Sequence, residues 1–272
     1  MEITLTIAGT TYRVDISEPL DISIPVRFHG PQPSVFHAPP ATSEPFQEDG
    51  FIGSVSRGGS CNCETHTFVP HTSGSHTECV GHISEKPISV PDVLKNGLFP
   101  ATLITLQSEE ARNTAESYTS ALLPGDRLLT SAMLEACLHD TQPDFLQALV
   151  IRTLPNSADK LTENYDLTGS AFFSTEAMNS LVQRGVQHLL VDIPSVDRLH
   201  DEGRLGNHHI FWDLPQGSRQ VEKRNASPRT ITELIYVPTA IADGQYLLNL
   251  QLAPLLADAA PSRPTLYKVH AL

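Results

Sequence analysis

Four imidazoles fall within seventeen residues of the chain: His66, His71, His76 and His82. The last three belong to one run, His71-Thr-Ser-Gly-Ser-His76-Thr-Glu78-Cys-Val-Gly-His82. A divalent ion of the zinc or manganese type is held by imidazole nitrogens and carboxylate oxygens converging at about 2.0–2.2 Å. In an extended segment His76 and Glu78 share a face. Gly74 permits the tight turn that brings His71 back toward them. His71, His76 and Glu78 are therefore the candidate metal ligands. A dication held by three groups keeps open positions, binds water and lowers its pKa toward about 7. His82 follows the small Gly81 and can stand beside such a site without being a ligand, as the group that takes and returns a proton.

Other reactive residues fit less well. Cys79 lies inside the run and could be a ligand or a nucleophile, but a lone Cys is more commonly buried packing. Cys61-Asn-Cys63 is too closely spaced for the usual zinc pair and has no matching pair; it reads as strand residues facing one side. His66 reads as structural, and His29 and His37 as candidate substrate contacts in a loop. No P-loop, dinucleotide fingerprint or Gly-x-Ser-x-Gly elbow is present.

These side chains need a scaffold. The opening ITLTIAG and TYRVDIS segments alternate apolar and polar residues and read as a hairpin through Gly9-Thr10. Residues 19–59 are rich in Pro, Gly and Ser and exclude regular helix, while Phe28, Phe36 and Phe46 suggest an ordered, docked loop. SCNCETHTFVPH reads as a strand entering the His-rich turn. Residues 101–107 and 145–154 have the look of buried strands. Helices are expected over 131–139, starting at a Ser cap, and over 174–185, with Ser174 as N-cap and Gly185 just past the end. Residues 186–195 follow as a buried strand, 213–230 as a polar insertion, and 231–238, 244–255 and 262–272 as closing strands. The expectation is one domain over residues 1–272.

The chain has 272 residues, 40% hydrophobic and 18% charged, and needs no staples to bury a core. With 18 Lys and Arg against 31 Asp and Glu its net charge is -13, which repels phosphate backbones and anionic membranes. Neither nucleic acid nor membrane is an expected partner, and no apolar run approaches the roughly 20 residues of a membrane helix. A signal peptide is not evident, and four cysteines do not form a secreted disulfide framework. The expected location is cytoplasmic.

The His-rich run resembles the motif of the cyclase family of metal-dependent hydrolases, which includes bacterial kynurenine formamidase and isatin hydrolase. That motif reads His-x-Gly-Thr-His-x-Asp-x-Pro-x-His. Gly74, Ser75 for Thr, His76, Glu78 for Asp, and His82 match it. One extra residue separates His71 from His76, and Val80 replaces Pro. Asp15-Ile-Ser17 is similar to the family's N-terminal Asp-Leu-Ser, and Gly125-Asp126 to its central Gly-Asp. Phe172 through Val186 and the string Asp192, Ser195, Asp197 are similar to its helix–strand unit. Asn207-His208-His209 stands where the family places a late histidine before an apolar pair, here Phe211-Trp212, which favours His208. Glu233 fits the late Glu.

The resemblance implies a divergent branch with an α/β fold: a strand-dominated mixed sheet or barrel-like core with flanking helices, of the swivelling β/β/α type. It implies His208 and Glu233 as further metal-site residues, one or two zinc or manganese ions, and a homodimer or higher homo-oligomer. His208 is expected to face the site, and His209 away, as neighbours on a strand do. The implied reaction is metal-dependent hydrolysis of an amide, formamide, ester or lactone of a small-molecule substrate, arylformamidase-like, with His82 as acid/base. A metal-dependent lyase or dehydratase, and a non-catalytic metal- or ligand-binding protein, are the rival readings.

Overall fold

The computed structural model describes residues 1–272. The N-terminal hairpin forms as the alternation requires: β1 (Glu2–Ile7) pairs antiparallel with β2 (Thr10–Asp15), with Ile7 opposite Thr10. Both turn residues, Ala8 and Gly9, have positive φ, the twist that two-residue hairpins favour.

Eleven strands share the main sheet. Besides β1 and β2 they are β3 (Leu20–Asp21), β4 (His76–Glu78), β5 (Leu98–Gln107), β6 (Ala148–Leu154), β7 (His188–Val191), β8 (Thr230–Glu233), β9 (Gly244–Asn249), β10 (Ala259–Pro261) and β11 (Thr265–Ala271). Their order is β1-β2-β11-β9-β5-β6-β7-β8-β4-β10, with β3 against β11. The middle four, β5 to β8, are parallel, and antiparallel strands flank them on both sides. Parallel strands covered on both faces read as apolar runs, which is what residues 101–107 and 148–154 show. Leu149 and Ile151 point into one core, Ala148 and Val150 into the other.

Besides two single-turn helices, Val90–Val93 and Tyr165–Thr168, the connections carry α1 (Ser131–Leu138), α2 (Thr175–Gln183) and α3 (Gly206–Phe211). Leu134 and Leu138 of α1 and Met178 and Leu181 of α2 are fully buried in the larger core. Truncating any of these leucines to alanine would cost about 2–5 kcal/mol. The Ser174 side chain accepts from Ala177 N, and Gly185 takes a positive φ after the helix end, as expected. The fold is thus mixed α/β and strand-dominated.

Several local expectations are corrected. The N-cap of α1 is Thr130 rather than Ser131, whose own amide donates to Glu116. Cys61 and Cys63 precede the short strand Glu64–Thr67 rather than lying in it, and both are exposed. Residues 19–59 contain no α-helix, but only Phe28 docks, stacking on His66 at 4.1 Å; Phe36 and Phe46 are exposed. No helix is long and apolar enough to cross a membrane.

Candidate metal centre

The strand order brings distant residues together. β4 lies between β8 and β10, and the register sets Glu233 opposite His76 and Ala259 opposite Glu78. Cross-strand neighbours sit about 5 Å apart, so Glu233 of β8 and Asp258, one residue before β10, both arrive beside β4. The turn before β4 is held tightly. A Cβ on Gly74 would stand 2.8 Å from Ile24 O and 3.2 Å from Val26 N, so only glycine fits. Ser75 Oγ donates to Leu234 O at 2.5 Å and accepts from Ile24 N at 2.7 Å. That bracing presents His71 and His76 to one region.

Glu78 is the hub. Its Oε1 lies 3.0 Å from His208 Nε2, and its Oε2 lies 3.5 Å from His71 Nε2 and 3.7 Å from His82 Nδ1. Asp258 Oδ2 lies 3.1 Å from His71 Nε2 and 3.3 Å from His82 Nδ1. On the inner side His76 Nε2 is 3.5 Å from Glu233 Oε2, while Glu233 Oε1 accepts from Val196 N at 2.9 Å. His208 Nδ1 faces Asp197 Oδ2 at 2.6 Å. Trp212 walls the cluster, its ring 5.2 Å from that of His208. His76, Glu78, His208 and Glu233 are buried; His71, His82 and Asp258 are partly exposed and form the open side.

The electrostatics call for positive charge. Burial opposes ionisation of Glu78, yet His82, His208 and His71 hold it well below the usual carboxylate range. Burial likewise opposes protonation of His208, but the carboxylates of Glu78 and Asp197 raise it well above the usual imidazole value. The imidazoles of His71 and His82, 3.1 and 3.3 Å from its Oδ2, hold the Asp258 carboxyl far below its ordinary range. Despite this density of charge, His71 Nε2, His76 Nε2 and Glu78 Oε2 are buried and make no aligned hydrogen bond. Unsatisfied buried polar atoms are rare and costly, and two imidazole nitrogens with a carboxylate oxygen are a zinc- or manganese-type donor set. His76, Glu78 and Glu233 could hold an ion together, as could Glu78, His82 and His208, or His71, His82 and Asp258. The residues fit a divalent metal.

All six residues singled out in the sequence, His71, His76, Glu78, His82, His208 and Glu233, meet in this cluster. His208 does so by a different route from the one expected. Residues 206–211 are helix, not strand, because Asp197 accepts the amides of Asn207 and His208 at the helix start. His209 is also buried, one helical step away from the cluster face, so it is not on a solvent side. Asp258 was not foreseen: a single Asp in Leu-Leu-Ala-Asp-Ala-Ala carries no spacing signal. Cys79 packs against Ile88 O, and burial pushes its thiol up to about 12, which removes it as a nucleophile. His29 is exposed and His37 faces Asp166 instead of the cluster.

Fold and site together define an α/β protein with a buried histidine–carboxylate centre suited to a divalent ion. The family model described as "Putative cyclase" matches residues 14–198, and the chain belongs to that family. No curated protein matches the sequence. Among solved structures, isatin hydrolase A from Ralstonia solanacearum is similar at a TM-score of 0.60 and 13% identity, covering 92% of this chain and 91% of that one. Isatin hydrolase A from Labrenzia aggregata, bound to benzyl benzoate, is similar at 0.59 and 14%, covering 92% and 93%. A predicted metal-dependent hydrolase from Bacillus stearothermophilus is similar at 0.56 and 14%, covering 92% and 98%. At such identities the likeness speaks for the fold.

Proposed function

We propose that the chain is a metal-dependent hydrolase that cleaves an amide, formamide, ester or lactone bond of a small carbonyl substrate. The observation that carries this reading is a set of three buried, unpartnered donor atoms, His71 Nε2, His76 Nε2 and Glu78 Oε2, within one cluster of histidines and carboxylates. Family membership and the likeness in fold to isatin hydrolase and to a predicted metal-dependent hydrolase support it. His71, His76 and Glu78 would hold one zinc or manganese ion, and His208 and Glu233 would hold a second or brace the first. When bound, the ion polarises a carbonyl and makes water acidic.

The remaining work falls to the chain. Asp258 faces His82 Nδ1 at 3.3 Å, which orients the ring and leaves Nε2 to take a proton from water and return it to the leaving group. Asp197 fixes the tautomer of His208 by accepting from Nδ1, the usual role of a carboxylate behind a ligating imidazole. Substrate approaches on the His71, His82 and Asp258 side, the exposed edge of the cluster. We further assign the protein to the cytoplasm and to a homo-oligomer. The test is metal analysis of purified protein, then a panel of formamides, cyclic amides, lactones and esters in heavy-oxygen water. Solvent oxygen in the product is expected. Turnover without it would indicate a lyase, and metal binding without turnover a binding protein.

A further inference from the structure

The segment that carries Asp197 to the metal centre also borders a second cleft of about 650 Å³. Asp192, Ile193 and Arg198 line it, and none of His71, His76, Glu78, His82, His208 or Glu233 does. It lies beyond the C-terminal ends of β6 and β7, where Thr153 to Pro155 and Asp192 leave the sheet. Open α/β sheets bind ligands at that end, and this volume suits a small organic molecule.

We infer that this cleft binds a small organic amine, an ammonium group on an apolar body. The apolar part of the wall is Leu123, Leu154, Phe172 and Ile193. The polar part carries unbalanced negative charge. Of its carboxylates, Asp192 is used by Lys160 at 2.7 Å and Asp126 by Arg198 at 3.1 Å. Asp159, Glu163 and Asp166 remain, against the His200 imidazole and Arg127, whose Nε and one terminal nitrogen donate to Ser108. Asp166 is the focus. Its Oδ2 accepts from His37 N at 3.1 Å and Ser34 Oγ at 3.3 Å and lies 3.5 Å from the exposed His37 ring, but its Oδ1 is buried with no partner. Beside it in sequence, the Tyr165 hydroxyl is also buried without a partner, on a residue only 6% exposed.

A buried carboxylate oxygen left alone is unfavourable, and an ammonium ligand supplies both the donor and the missing charge. Arg198 Nε is unpartnered as well. Its guanidinium is already neutralised by Asp126, so it calls for a neutral oxygen on the same ligand rather than a second anion. The matching probe is 2-phenoxyethylamine, and its counter-probe is phenoxyacetate, with the same ring and opposite charge.

Calorimetric titration of the metal-loaded protein should show one amine per chain and at least tenfold weaker binding of phenoxyacetate. Asp166→Asn should weaken the amine at least tenfold. Because Asp166 also holds the Ser34–His37 segment, a second variant is needed. Leu123 is 54% exposed at the rim, so Leu123→Trp should obstruct the cleft at an unchanged melting temperature and weaken the amine to the same extent. Equal binding of the anion, undiminished binding in either folded variant, or no heat at millimolar amine would overturn the assignment.

Discussion

His208 Nε2 stands 3.0 Å from Glu78 Oε1 across 130 residues of chain, while Asp197 grips the other nitrogen of the same ring at 2.6 Å. An imidazole between two carboxylates holds a proton above its ordinary range, and a dication at that place would displace it. Metal binding should therefore release protons, and affinity should fall as the pH is lowered.

The His76→Ala variant should lose most of the one or two divalent ions the protein carries. One of the few donors is then gone, and Glu233 loses its neighbour at 3.5 Å. Elemental analysis after desalting reads this directly; full occupancy in the variant would remove His76 from the site.

His82 and Asp258 should separate chemistry from binding. His82→Ala is expected to keep its metal and lose activity by about 10²–10⁴-fold. Asp258→Asn should lose roughly 10–100-fold, the usual effect of deleting a group that supports a metal site, because one carboxylate backs both His71 and His82. Metal content and kcat measured together decide it. Joint loss of both in His82→Ala would make His82 a ligand.

What the sequence made legible was local. His76-x-Glu78 in a strand and Gly74 at a turn follow from side-chain periodicity and backbone freedom, and the buried strands follow from apolar runs. His208 and Glu233 could be placed only by order within a resemblance, since nothing near them in sequence reveals that β8 pairs with β4. Asp258 was out of reach for the same reason: its position depends on β10 reaching the far side of β4. The helical state of 206–211 was missed because its N-terminus is satisfied from a distance, by Asp197, while Gly206 and two histidines are weak helix formers.

The Pro-rich stretch predicts assembly. Phe36, Phe46, Phe51 and Val55 are all at least 37% exposed, and Phe46 and Phe51 stand 6.2 Å apart. Exposed apolar groups of this kind are what a subunit contact would cover. Light scattering should give at least a dimer, and Phe46→Ser with Phe51→Ser should shift it toward the 29.7 kDa chain. A wild-type monomer at micromolar concentration would contradict this.

The last prediction concerns stability and rests on a histidine outside the site. His188 begins β7, only 4% exposed, with its ring 4.0 Å from that of Phe99 and Nδ1 2.9 Å from Thr230 Oγ1. Burial lowers its pKa from 6.5 to about 4. The folded state therefore resists a proton that the unfolded chain accepts. Above pH 6.5 the residue is neutral in both states and has no effect on the pH dependence. Between 6.5 and 4 the unfolded state alone gains the proton, so stability falls as pH falls; below 4 both are protonated and the loss is complete. A shift of that size is worth about 3 kcal/mol at most. The raised pKa values of His71 and His208 act with the opposite sign, losing stability as pH rises through them. The useful quantity is therefore the difference between two proteins. Urea denaturation from pH 7 to pH 4.5 should show a shallower decline in His188→Leu than in the wild type. Parallel curves would mean that the ring finds a compensating partner when charged, and that the tilted contact with Phe99 is not the buried one the structure shows.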